Sequence, residues 1–316
     1  MLLLARGERF NANFFYHSGL DIDNSFFIKD GEERTLLVSR MNKDYAEEKF
    51  IGNVITFEKD PLKEIEKIAR GKKLEMDFRG ISAYFFQKVS SFAKPIDVSE
   101  ELARIRMRKS SGELLLMRQA ARAGKRIIEM GKDAFGKTER QLASKLYTET
   151  YKEGLRPAFR PIVATGRNSS FPHSEPTDEK IAGLCLVDYG VASHHYYSDL
   201  TRVFFEKRDA KKEKIYSQLK HIVTQIVDEI PNLSTGADIA LLAEKLYRKE
   251  HLPYPPHSIG HGIGLEIHEL PSLSKTSKDK LEGATFTLEP SVYYPGEFGL
   301  RYEEVIHYNG KKAQVL

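Results

Sequence analysis

The chain has 316 residues, 41% hydrophobic and 30% charged, with a net charge of +4 and a single cysteine, Cys185. This length and composition suit one large or two ordinary globular domains. The small charge excess gives no electrostatic footprint for a nucleic-acid partner. One cysteine excludes a disulfide framework within the chain, which fits a reducing, cytoplasmic location. No run of about 18 apolar residues is present to span a membrane. The opening Met1-Leu2-Leu3-Leu4-Ala5 is cut off by Arg6 and Glu8, too early for the apolar region of a signal sequence.

From the N-terminus, short strand-like and helix-like pieces alternate. Residues 25–28 and 35–38 read as strands around the turn Lys29-Asp30-Gly31-Glu32. Residues 43–50 and 61–70 read as helices, with Pro61 well placed to start the second. The alternation predicts a small three-layer α/β domain over residues 1–104. The basic residues Arg104, Arg106, Arg108 and Lys109 read as a solvated helix face. Ser110 or Ser111 with Glu113 forms a capping pattern. The apolar positions Leu114, Leu115, Met117, Ala120, Ala121 and Ile127 then predict a long helix to about residue 130. Further helices are expected over 138–153, 212–229 and 236–250. Strands are expected over 161–165, 184–189, 197–205, 285–294 and 300–308. Residues 105–316 therefore read as an α+β domain with helices on an antiparallel sheet, and Cys185 as a small core residue.

Acids interrupt these apolar runs, although strand interiors are normally depleted in Asp and Glu. Asp188 closes one run and Asp199 opens the next, with residues 191–196 of hairpin length between them. Paired strands would bring both carboxylates to one face. Glu289 and Glu303 repeat the arrangement around Pro295-Gly296-Glu297. Four gathered carboxylates repel, each pair about 4 Å apart costing about 4 kcal/mol at an effective dielectric near 20. Divalent cations relieve that repulsion. The imidazoles lie in Phe171-Pro172-His173-Ser174 and in the stretch 256–269, which holds His257, His261 and His268. Carboxylates with imidazole suit Mn²⁺, Co²⁺ or Zn²⁺, and the oxygen-rich set tilts toward Mn²⁺. Two such ions about 3.5–4 Å apart would share a water and make it hydroxide-like near neutral pH. Gly260, Gly262 and Gly264 do not have dinucleotide spacing, and His268-Glu269 lacks the second histidine of a zinc helix motif. The glycines are expected to serve the backbone.

Taken in order, PIVATGRNSSFPHSEP, VDYGVASHHYYSDLTR, HSIGHGIGLEIHELP and TLEPSVYYPGEFGLRYEE resemble the pita-bread metallopeptidases, which include prolidase, aminopeptidase P and methionine aminopeptidase. FNANFFYHSGL followed by LLVSR is similar to the first domain of the prolidase and aminopeptidase P branch. The resemblance implies an α/β N-terminal domain and an α+β pita-bread C-terminal domain with an antiparallel sheet. It implies two divalent metal ions on Asp188, Asp199, His261, Glu289 and Glu303, with Glu289 also taking the proton of the attacking water. It places His173 and His268 on the scissile carbonyl, and His257 and Arg301 on the proline side. Thr201 and Tyr293 would orient the ligands. The implied reaction is hydrolysis of the bond before proline. A prolidase takes a small Xaa-Pro dipeptide and an aminopeptidase P takes longer Xaa-Pro peptides; the chain length favours the dipeptidase. The methionine branch is less similar, since its last two glutamates lie farther apart. A non-catalytic binding module of this fold would have lost ligands that are all present here. A homodimer is implied as well.

Overall fold

A computed structural model describes residues 1–316, which divide into the units Met1–Arg106 and Met107–Leu316. In the first, strands β1 (Leu2–Arg6), β2 (Ser25–Asp30), β3 (Glu33–Ser39), β4 (Asn53–Phe57), β5 (Lys73–Met76) and β6 (Lys94–Asp97) form one sheet in the order β4-β3-β2-β1-β5-β6. Its helices are α1 (Ala12–Ser18), α2 (Lys43–Lys49), α3 (Pro61–Ala69), α4 (Ala83–Ser90) and α5 (Ser99–Met107). The parallel pairs β3–β4 and β5–β6 need crossovers, which α2 and α4 supply. Pro61 starts α3 behind the N-cap Asp60, whose side chain accepts from the Leu62 N–H. Adjacent strand residues point to opposite faces. Thus Leu3, Ile28 and Leu37 pack on one side of the sheet, and Leu4, Phe27 and Leu36 on the other. Burial on both faces explains the unbroken apolar runs of these strands.

The second unit opens with α6 (Ser111–Ile128), started by a reciprocal capping box between Ser110 and Glu113, and continues with α7 (Glu139–Lys152). Strands β7 (Arg156–Pro157), β8 (Ile162–Ala164), β9 (Leu184–Asp188), β10 (Val191–Ser193), β11 (Tyr196–Tyr197) and β12 (Thr201–Phe205) follow. Next come α8 (Ala210–Glu229) and α9 (Gly236–Lys249). The chain ends with β13 (His261–Gly262), β14 (Glu269–Ser272), β15 (Thr285–Leu288), β16 (Ser291–Tyr294), β17 (Phe298–Arg301), β18 (Glu304–Tyr308) and β19 (Ala313–Val315). The two main sheets run β12-β9-β8 and β14-β13-β15-β18-β19, and every pairing in the unit is antiparallel. One core sets Ala120, Ile127, Leu142 and Leu146 of α6 and α7 against Val163, Cys185 and Val187. The other sets Leu219, Ile222, Ile239 and Ala243 of α8 and α9 against Phe286, Leu288 and Ile306. Burial pushes the Cys185 thiol up to about 12, so it behaves as a core residue rather than a nucleophile. No helix is long and apolar enough to cross a membrane.

Three of the expected strands are broken in two, each at an acid. Asp199 lies between β11 and β12, Glu289 between β15 and β16, and Glu303 between β17 and β18. A carboxylate at a break leaves the ladder instead of sitting inside it, and Pro290 has no N–H with which to continue one. Asp188 therefore pairs with Thr201 rather than with Asp199. The hairpin between them turns through His194 and His195, at φ 48 and 68. The basic stretch also departs from expectation. Arg104 and Arg108 are exposed, but Arg106 and Lys109 are buried, at 5% and 9% exposure. A solvated face describes only half of it.

Candidate metal centre

The breaks converge. Asp188 ends β9, Asp199 precedes β12, His261 opens β13, and Glu289 and Glu303 fill the gaps before β16 and β18. Backbone bonds fix these crossings: Tyr189 N–H donates to Leu200 O at 2.9 Å, Glu289 N–H to Ile259 O at 2.8 Å, and Glu303 N–H to Thr201 O at 3.2 Å. All five side chains line one open cleft of about 490 Å³, together with His173, His268 and Arg301. Ligand atoms of Asp199, His261 and Glu303 lie within 4.8 Å of one another. His257 stands outside the cleft wall, its Nδ1 3.8 Å from Glu289 Oε2.

Electrostatics mark this as a site that needs a cation. Desolvation, then the charges of Glu303, Asp188 and Glu289, push the Asp199 carboxyl well up. Glu303 rises likewise, through desolvation and then Glu289 and Asp188. Desolvation also raises Asp188, against the pull of Arg301, and takes Glu289 up to about 7. Asp188 Oδ1 and Asp199 Oδ1 are buried without a hydrogen-bond partner. Buried acceptors of this kind call for an ion or water, and a set of carboxylate oxygens plus one imidazole is a donor set for a divalent cation. The residues therefore fit the metal that their chemistry implies.

The imidazole is set up for the same task. Burial pushes His261 down to about 4, with His268 adding to the effect, so the ring is neutral. Nδ1 lies 3.1 Å from the Gly262 carbonyl, to which only a protonated nitrogen can donate. The lone pair is then on Nε2, 3.7 Å from Asp199 Oδ2 and 3.9 Å from Glu289 Oε1. The His268 ring centroid is 4.3 Å from that of His261, and burial holds His268 below the usual imidazole range.

Hydrogen bonds from neighbouring groups hold these side chains in place. Arg301 is 3% exposed, and all three guanidinium nitrogens donate within the protein. Nη2 binds Asp188 Oδ2 at 2.5 Å, Nε binds Thr201 Oγ1 at 3.1 Å, and Nη1 binds Tyr293 Oη at 2.9 Å and Pro172 O at 3.3 Å. Thr201 Oγ1 donates onward to Glu303 Oε2 at 2.8 Å. His257 reaches Tyr293 Oη at 3.0 Å and Ser291 Oγ at 3.1 Å through Nε2. Two supports were not foreseen from sequence. Lys109 Nζ donates to Glu269 Oε2 at 2.9 Å, the two side chains being 1% and 2% exposed. Glu269 Oε1 accepts from the Leu265 and Glu266 N–H groups at 3.0 and 3.1 Å, which shapes the turn before His268. The signal available was Glu269 itself, an acid beside His268 with no part in the ligand set. The glycines here serve close packing: a Cβ on Gly262 would lie 2.2 Å from the Leu270 carbonyl, and one on Gly264 2.8 Å from Lys109 Cε.

Comparison with known proteins agrees with this geometry. A profile of metallopeptidase family M24 matches residues 115–309. The chain is 32% identical to an uncharacterised peptidase of Methanocaldococcus jannaschii over 292 residues, 87% of this chain and 79% of that one. It is 28% identical to the Xaa-Pro dipeptidase of Pyrococcus furiosus over 305 residues, 93% of this chain and 88% of that one. The crystal structure of an X-Pro aminopeptidase from Thermotoga maritima superposes with a TM-score of 0.90 at 26% identity, covering 99% of this chain and 94% of that one. The pita-bread architecture expected from the motifs is the one these neighbours share. With the profile spanning the unit that holds the acids and imidazoles, and the relatives spanning nearly the whole chain, the protein belongs to metallopeptidase family M24 and is a metal-dependent peptidase.

Proposed function

We propose that the protein hydrolyses the bond before proline in Xaa-Pro dipeptides, as a prolidase. The observation that carries this reading is the convergence of Asp188, Asp199, His261, Glu289 and Glu303 in one cleft with His173 and His268 on its wall. The Pyrococcus relative, an Xaa-Pro dipeptidase over nearly its whole length, supports the substrate class. Two divalent ions, with Mn²⁺ preferred, would be held by those five residues and would supply Lewis acidity and a water of lowered pKa. Glu289 takes the proton from the attacking water. His173 and His268 donate to the carbonyl oxygen as it gains charge, an interaction stronger in the transition state than in the ground state. The same proton, returned by Glu289, allows the prolyl nitrogen to leave. Arg301, held rigid by its four protein acceptors, forms the side that receives proline, and His257 backs that side from behind the wall through Tyr293 and Ser291.

A second reading is an aminopeptidase P, favoured by the likeness to the Thermotoga structure. Hydrolysis of Ala-Pro beside Ala-Pro-Gly-Gly, with Mn²⁺ and with a chelator, separates the two. Chelator-sensitive cleavage of the dipeptide alone is the expected result. Alanine release from the tetrapeptide would assign the aminopeptidase, and cleavage of neither by metal-loaded protein would remove the proline reading. The homodimer implied by the motifs belongs to the same proposal and is read from the mass in solution.

A further inference from the structure

His173 reaches the cleft from a segment that contains only a short 3₁₀ turn, Gly166–Ser170, and irregular chain up to Thr177. A loose loop cannot hold an imidazole against a reacting carbonyl with the accuracy that catalysis needs. One side chain gathers both ends of this segment. Glu139, the first residue of α7, is fully buried. Its Oε1 accepts from the Thr165 N–H at 2.8 Å and from Asn168 Nδ2 at 3.1 Å. Its Oε2 accepts from the Thr177 N–H at 2.9 Å, from Thr177 Oγ1 at 2.6 Å and again from Asn168 Nδ2 at 3.1 Å. The backbone at the same helix end adds a bond from the Arg140 N–H to Thr177 O at 3.0 Å. Every side-chain bond of Glu139 therefore goes to the segment between Thr165 and Thr177. Filling the core would need only an apolar residue, but that would leave the buried Thr165 N–H without an acceptor.

We propose that Glu139 is a positioning residue for the reaction: its carboxylate closes the neck of the Thr165–Thr177 loop and so fixes His173 at the cleft. This rests on the role given above to His173. The middle of the loop is held separately, by the Gly299 N–H to Ser169 Oγ bond at 2.9 Å and by Arg301 at Pro172 O. The metal-binding acids and His261 come from other segments. Arg301 thus anchors the chain on one side of His173 and the neck anchors it on the other, at Thr177; loosening the neck frees His173 from that side and leaves the bond of Arg301 to Asp188 in place.

The test is a set of double-mutant cycles on the full-length, Mn²⁺-loaded protein. Glu139→Gln keeps the size but turns one acceptor oxygen into an amide facing N–H donors. Thr177→Val removes the hydroxyl that donates to Glu139 and accepts from Asn168 Nδ2 and the Glu179 N–H, Thr177→Ser restores it, and this pair carries the test if Glu139→Gln does not fold. Each is measured alone and with His173→Ala, on whichever of Ala-Pro and alanine p-nitroanilide the wild type cleaves. Wild-type failure on Ala-Pro alone speaks to the proline reading and not to Glu139. We expect kcat to fall about 30-fold for Glu139→Gln and about fivefold for Thr177→Val, with KM and bound metal within about twofold. Thr177→Ser stays near wild type. In the His173→Ala background both losses shrink to within about twofold. Losses that persist in full without His173, or that accompany loss of metal, make Glu139 a general structural residue and overturn the proposal.

Discussion

At the scale of single residues, the Lys109–Glu269 pair shows how a charge apart from the metal ligands shapes the cleft. Both side chains are almost wholly buried, and Glu269 also holds two backbone N–H groups of the turn that leads to His268. Removing one partner of such a pair leaves the other charge buried without this counter-charge, which typically costs about 3–5 kcal/mol. Lys109→Met should therefore lower stability by about that amount in urea unfolding. Lys109→Met with Glu269→Gln should recover at least half, since the amide oxygen still accepts from the turn. A single variant as stable as the wild type would show that the pair bears no such stress. None of this is visible locally in the sequence. A lysine in a basic stretch reads as solvated, and its partner lies 160 residues along the chain. Glu139 hides for a related reason: glutamate is a common choice in the first turn of a helix, so nothing nearby marks it as buried.

At the scale of elements, the acids do their work where strands stop. The expected strands over 285–294 and 300–308 are apolar on both sides of their glutamates, so each reads as one run. Which residues pair is decided by distant partners, such as Ile259 O for the Glu289 N–H, and no local pattern records that. Helix starts were legible because their signals are local: Ser110 with Glu113, and Pro61, lie beside the helices they start. The four acids of the candidate site stood out because Asp and Glu in apolar runs go against propensity, whereas His261 joined them only through the resemblance. His261 depends on a two-residue strand, β13, which is wedged against β14 at Gly262. A Cβ there would lie 2.2 Å from Leu270 backbone atoms and 2.6 Å from Glu269 O, neither of which can yield. Gly262→Ala should cost about 1–3 kcal/mol through the displaced strand. It should also weaken Mn²⁺ binding at least about tenfold by moving His261. Gly112→Ala, where an added Cβ meets nothing, is the control. Calorimetric Mn²⁺ affinity equal to wild type in Gly262→Ala would disprove the coupling.

At the scale of the whole molecule, the fold carries a cost that metal binding offsets. Three buried carboxylates and the half-buried Glu289 face one another around a single buried guanidinium, and each is pushed above the ordinary carboxylate range by desolvation first. Without metal, these four carboxylates therefore bind more protons folded than unfolded between about pH 4, where ordinary carboxylates titrate, and about pH 7, where Glu289 does; the buried histidines, held low by desolvation, contribute with the opposite sign over the lower part of that range. Stability changes with pH as the protons bound unfolded minus those bound folded. For the carboxylates that difference is negative across this window, so their contribution to the stability of the chelated protein falls as pH rises through it and is not regained above. Metal held by the deprotonated carboxylates, as proposed, would displace the same protons, so its stabilisation should grow over the same range. The gap in melting temperature between Mn²⁺-loaded and chelated protein should thus widen steadily from pH 5 to pH 8. Asp199→Asn, which removes one ligand and one of the repelling charges together, should narrow the gap while raising the melting temperature of the chelated form. A gap that stays flat or closes with rising pH would mean that the carboxylates are balanced by the protein itself, and that the fold does not depend on a cation at its centre.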